Sequence, residues 1–295
     1  MKAKRLSQGD TIGIFCPSHV AIPERYASQV AGIERMGFKV KFGANVYKDT
    51  WGYAASAVER AADFNALIAD NRVDAILFNG GNGAAEILPY IDYENIRRYP
   101  KRIGSYSDGT SILNAIHAQT GLITYYGTAP HSFDDLRHYD YTQFCAHFVE
   151  GYSAERLEPN SEWKTLQSGQ CEGVLIGGYT TLFALMLANR YLNLRAQKYI
   201  LFLESHEKYG KPGLTAAELA FIEQSQFMDK VKGLIFGHYS TPVPHELLDC
   251  LERFGKRNNI PVVYTDDFGH GTRHAILPIG MNAKLNADKP ELCYG

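Results

Sequence analysis

The sequence predicts an α/β protein of two domains, the first built on a parallel sheet with helices on both faces. Three observations lead there. Short apolar runs alternate with helix-period stretches from the first strand onward. The apolar runs end in turns rich in Gly, Ser and Pro. A chain of 295 residues can hold two cores, and its character changes near the middle.

Taken in order, Thr11 to Cys16 reads as a buried strand closed by Pro17-Ser18. A helix is expected from Pro23 to Met36, with proline at its start. Gly37 to Phe42 turns into a second strand, and Ala55 to Ala69 carries a helical apolar stripe. Asp74 to Phe78 is a third strand, running into the glycine turn from Asn79 to Gly83 and a short helix to Leu88. Lys101 to Ser105 is a fourth strand, and Thr110 to Ile116 is helical. Polar residues from 151 to 170 mark a linker, dividing a domain of residues 1–150 from one of 171–295. Beyond it, strands are expected at Gly173–Ile176, Tyr199–Leu203, Gly233–Gly237 and Pro261–Thr265. Helices fall at Thr180–Ala188, Thr215–Gln224 and Glu246–Phe254. Short closing strands fit Ala275–Leu277 and Ala283–Leu285.

Composition narrows the function. Apolar residues make up 45% and charged residues 21%, as in a soluble globular protein. A formal net charge of -2 argues against a nucleic-acid partner bound by bulk electrostatics. No apolar stretch is long enough to cross a bilayer, and no signal core follows the basic N-terminus, so no membrane partner and a cytoplasmic location are expected. The five cysteines, Cys16, Cys145, Cys171, Cys250 and Cys293, form no C-x-x-C pair and read as reduced thiols.

The chemistry gathers at strand ends. Ser107 lies at a sharp strand-to-helix turn, which would hold its hydroxyl clear of the sheet and close to helix N–H groups. On local pattern alone a helix cap is the commoner explanation. Glu204 directly follows four apolar strand residues, and His270 sits between Gly269 and Gly271. A serine needs an imidazole to take its proton and an acid to orient that imidazole, and the chain offers them in the order Ser, Glu, His. Taken singly, Glu204 could open a polar loop, and His270 is one of ten histidines. The Gly80-Gly81-Asn82-Gly83 turn lacks nucleotide-loop spacing and better suits backbone N–H groups facing a reacting carbonyl. His206 with Glu207, or His270 with His274, lacks a zinc-site pattern, so neither metal nor cofactor is expected. Ser105-Tyr106-Ser107-Asp108-Gly109 also approximates the α/β-hydrolase elbow, a rival assignment of the same serine to an esterase.

Together these segments resemble the S66 serine peptidases, which comprise LD-carboxypeptidases and microcin C immunity-type amidohydrolases. The likeness runs from Gln8-Gly9-Asp10-Thr11-Ile12-Gly13 through Gly52-Tyr53, Glu59 to Asp63, Gly80-Gly81-x-Gly83 and Tyr106-Ser107-Asp108-x-Thr110. Tyr126-Gly127, Gly177-Gly178, Leu201 to Glu204, Gly269-His270 and Leu277 to Gly280 complete it. The resemblance implies a Rossmann-like N-terminal domain, a smaller β-rich C-terminal α/β domain and a homodimer. It implies Ser107 as nucleophile, His270 as general base and Glu204 as its orienting acid, with an oxyanion hole from the backbone N–H groups of Asp108 and Gly81. The implied reaction is amide cleavage, releasing terminal D-alanine from a murein tetrapeptide. The stretch from Pro100 to Tyr126 is closer to the immunity-type branch, so a peptidyl- or aminoacyl-nucleotide substrate is the alternative. A non-catalytic two-domain binding protein, with Ser107 as a cap, is the reading from another class. Three positions depart from the family pattern: Ser105 replaces a glycine, Tyr179 an asparagine and Ser205 an aspartate. Tyr179 is thereby a candidate substrate-binding residue.

Overall fold

The structure is a computed structural model that describes residues 1–151, 155–206, 211–238 and 242–295. Glu207 and the linker positions 152–154 lie outside the described residues. The chain divides into two compact units, Met1–Ser153 and Ala154–Gly295.

In the first unit the chain runs β1 (Thr11–Ile14), α1 (Pro23–Arg35), β2 (Lys39–Phe42), a hairpin of β3 (Asp49–Thr50) and β4 (Tyr53–Ala54), and α2 (Ala57–Ala69). It continues with β5 (Ala75–Leu77), α3 (Tyr93–Arg98), β6 (Arg102–Ser105), α4 (Thr110–Thr120), β7 (Thr124–Tyr126) and α5 (His138–Phe144). The strands pair in parallel in the order β7-β6-β5-β1-β2. β5 and β6 are buried along their whole length; β5 reads accordingly as an unbroken apolar run, whereas β6 also buries Arg102 and Ser105. The chain leaves β1 toward one side of the sheet and returns on the other at β5. Loops after these two strands therefore diverge, leaving the crevice where such sheets hold ligands.

Local signals set the helix ends. Ser56 and Glu59 form a reciprocal capping box at the start of α2. α4 runs a turn beyond the expected Ile116 and stops at Gly121, whose φ is +74°. The β3–β4 hairpin was not expected from the sequence. Its two-residue strands are too short for a period, though Trp51 and Gly52 both take the positive φ that a tight hairpin turn requires.

The second unit is the smaller, β-rich one. It contains β8 (Lys164–Gln167), β9 (Gln170–Tyr179), α6 (Thr180–Met186), β10 (Tyr199–Glu204), α7 (Pro212–Glu223), β11 (Val231–His238) and α8 (His245–Asn258). It ends with β12 (Val262–Gly269), β13 (Leu277–Ile279), β14 (Asn282–Asn286) and β15 (Glu291–Tyr294). Seven of these strands form a mixed sheet, ordered β15-β14-β9-β10-β11-β12-β8. The central four are parallel, and the edge strands are antiparallel.

Three segments differ from expectation. β8 lies within the stretch read as linker, because a four-residue edge strand with two exposed positions carries little apolar signal. β9 continues through Gly177-Gly178 to Tyr179, past the expected end at Ile176. Both glycines have φ near +140° (+145° and +136°), and a Cβ on Gly177 would collide with the Phe202 carbonyl oxygen of β10. β12 likewise continues past Thr265 to Gly269, so Asp266 and Asp267 are strand residues.

Candidate active site

Ser107 follows β6 directly. Tyr106 is extended, with φ at -150°, and Ser107 switches to φ +55°, a left-handed conformation that costs energy outside glycine. A 3-10 turn over Ser107–Gly109 then leads into α4. This is the strained strand–turn–helix geometry that presents a nucleophile. The turn is held on three sides. The Ser107 amide donates to the Tyr126 hydroxyl at 3.0 Å, the Thr110 hydroxyl donates to the Ser107 carbonyl at 2.6 Å, and the Gly109 amide donates to the Tyr106 carbonyl at 2.9 Å. Tyr126 had no role assigned from sequence; its place at the end of β7, on the same sheet edge, was the available signal.

The small residues of the elbow fit one another. Ser105 is fully buried, and its hydroxyl donates to the Phe78 carbonyl at 2.7 Å. That oxygen occupies the space a Cβ on Gly109 would need. Serine replaces the family's glycine here without an unsatisfied group, because residue 109 has no side chain.

The glycine turn lies against this elbow. A Cβ on Gly80 would stand 2.8 Å from the Ser107 Cβ and 3.3 Å from its Oγ. Only glycine therefore lets this backbone approach the serine. Gly81, one residue on, packs against Ser18 and His19 after β1. The Asp108 carboxylate is buried and accepts the Ala84 amide at 2.9 Å, tying the elbow to the end of the glycine turn. Burial pushes its pKa above the usual carboxylate value, against the pull of that amide.

In the second unit, Glu204 ends β10 and His270 follows β12. β10 and β12 flank β11, and the two side chains meet over it: His270 Nδ1 lies 2.7 Å from Glu204 Oε2. Glu204 is fully buried, while the imidazole keeps some exposure. Burial alone would lower the His270 pKa. The charge of Glu204 and the hydrogen bond to it outweigh that effect and raise the pKa above the ordinary value. Tyr179 stands opposite Glu204 in the β9–β10 register, and its ring meets the His270 ring edge-on at 5.4 Å. The His206 ring packs on His270 at 5.1 Å, nearly perpendicular. Burial first, then the neighbouring Glu204 and Glu218, push the Tyr179 phenol up to about 12, so it stays neutral. Thr180 adds a hydrogen bond from its hydroxyl to the Glu204 carbonyl at 2.8 Å, fixing the strand end.

An elbow serine in a doubly wound unit and a carboxylate–imidazole pair in a β-rich unit are groups a hydrolase uses, and sequence similarity identifies the family. Residues 12–127 match the LD-carboxypeptidase N-terminal domain, and residues 172–285 match the LD-carboxypeptidase C-terminal domain. The chain belongs to the S66 peptidase family. It is a serine peptidase of the carboxypeptidase and amidohydrolase type. A Vibrio cholerae protein named "putative carboxypeptidase" is 32% identical, covering 97% of this chain and 95% of its own. A Bacillus subtilis protein named "probable murein peptide carboxypeptidase" is 29% identical over 97% and 91%. The Escherichia coli microcin C7 self-immunity protein MccF is 28% identical over 98% and 94%. Among solved structures, an MccF-like protein from Bacillus anthracis superposes with a TM-score of 0.88 at 25% identity, covering 100% of this chain and 99% of its own. MccF bound to glutamyl sulfamoyl guanosine superposes with a TM-score of 0.86 at 25% identity, over 99% and 97%.

Proposed function

We propose that Ser107, His270 and Glu204 form the catalytic set, and that the substrate is a murein-derived tetrapeptide cut at its L,D amide bond. The Ser107 Oγ attacks the scissile carbonyl while His270 takes its proton. With Nδ1 engaged by Glu204, proton transfer falls to Nε2. The oxyanion is received by the backbone N–H groups of Asp108 and Gly81. His270 returns the proton to the leaving D-alanine amine, and water then releases the acyl group by the reverse route. The observation that carries this reading is the 2.7 Å contact between His270 and Glu204, because an imidazole so oriented is the partner a neutral serine needs.

The nucleotide alternative keeps the same machinery and changes the leaving group. It is favoured by the solved neighbours that bind glutamyl sulfamoyl guanosine and aspartyl sulfamoyl adenosine. We assign the murein peptide first, and with it a cytoplasmic recycling role and a homodimer. Incubation of purified protein with the tetrapeptide and, separately, with a peptidyl-adenylate decides between them by mass spectrometry of the products. Turnover unchanged in both Ser107→Ala and His270→Ala refutes the catalytic set. Light scattering on the eluted protein tests the dimer.

A further inference from the structure

A cavity of about 460 Å³ opens on the first unit, at the carboxyl edge of its sheet. Its walls include His19 after β1, Arg25 and Tyr26 on α1, Asn79 after β5, Tyr106 after β6, and His131. Gly80 also lines it, and Gly80 is the residue whose Cβ would touch Ser107. The cavity therefore begins one residue from the proposed nucleophile.

Its walls are braced. The Tyr26 hydroxyl sits 3.3 Å from the Cys16 sulfur and 3.2 Å from His19 Nε2, and it accepts from Asn79 Nδ2 at 2.9 Å. Asn79 Oδ1 accepts the His131 amide at 3.0 Å, and the Tyr106 and His131 rings lie 4.5 Å apart at 30°. A network this connected keeps its shape when a ligand enters. The charge on the walls has one sign. The ten lining residues include one full cation, Arg25, and no Asp or Glu. Among the described residues Arg25 makes no ion pair, and its field reaches His19. The nearby carboxylate Asp134 is engaged by Gln29 Nε2 at 3.4 Å.

We propose that this cavity is an anion subsite beside the scissile bond, with Arg25 as counter-ion to the carboxylate of the terminal residue of the substrate. The assignment rests on Ser107 being the nucleophile. The phosphate of a nucleotide would offer the same anionic oxygens, so the test separates the two sources.

Binding is measured by calorimetry on full-length Ser107→Ala protein with three probes: the tetrapeptide free acid, its C-terminal amide, and adenosine monophosphate. Charge-assisted recognition predicts that the acid binds about tenfold or more tighter than the amide. Adding Arg25→Ala removes that preference, whereas Arg25→Lys keeps part of it. Equal affinity for acid and amide, or a preference that survives Arg25→Ala, overturns the peptide assignment. An Arg25-dependent affinity confined to adenosine monophosphate moves the subsite to phosphate and likewise overturns the carboxylate. Circular dichroism confirms that each variant is folded. These readouts need no turnover, so a wild-type protein inert toward the tetrapeptide, yet showing the Arg25-dependent preference, would sink the peptidase reading and leave the subsite standing.

Discussion

At the scale of single residues, the function proposed above turns on three side chains, Ser107, His270 and Glu204. Loss of Ser107 or His270 to alanine is expected to lower kcat on the true substrate by about 10⁴-fold or more, with a residual rate from oxyanion binding. The base must be unprotonated to work. Because the His270 pKa is raised, the acid limb of the kcat/KM profile should fall above the ordinary histidine value. Glu204→Gln removes the charge that raises it, leaving burial to dominate. That variant should lose most of its rate, and its acid limb should move to lower pH. A limb that does not move on stopped-flow or initial-rate profiles would mean another group sets it. The residue types and their places after strands were legible in the sequence. The 2.7 Å contact between positions 66 apart was not, since nothing local encodes it.

At the scale of elements, close approach sets the tolerances. Gly109→Ala puts a methyl into the Ser105 hydroxyl and is expected to cost about 2 kcal/mol, read from denaturant midpoints. Ser105→Gly on the same chain should recover part of that loss, because it empties the contested space; additive costs would contradict the fit described above. Gly177→Ala should be worse than Gly109→Ala, since it combines a forbidden φ with a clash against backbone that cannot rotate away. The sequence reading ended this strand at Ile176, before Gly177-Gly178, because glycine usually punctuates. Here glycine instead permits a strand to continue past a neighbour's carbonyl. The same limit hid β8, whose four residues carry no period long enough to read.

At the scale of the whole molecule, the buried His147 and the partly buried His19 and His117 are expected to shape the response to acid. Burial lowers the pKa of His19 and His117, and burial together with the Arg102 charge takes His147 down to about 3. The unfolded chain binds protons at these sites below the ordinary histidine value of about 6.5, and the folded chain does so only at lower pH. Stability from His147 is thus fully present above that value and lost as pH falls toward 3. The slope reaches about 1.4 kcal/mol per pH unit per group. His270 works in the other direction, contributing stability below the ordinary value that is lost as pH rises through its raised folded value. With three of these four histidines acting in that direction, their net effect should lower the melting temperature between pH 6.5 and pH 5. His147→Gln should flatten that drop, and an unchanged slope in thermal melts would assign it elsewhere.

The sequence by itself determined the alternation of strands and helices, the family pattern, and which polar residues stand at strand ends. Those features are written within a dozen residues, in apolar period and turn chemistry. Only the tertiary structure decided the strand order, the meeting of Glu204 with His270 across β11, and the braced cavity beside Gly80. Each of these depends on how distant segments register against one another, a packing outcome that no local stretch of chain specifies.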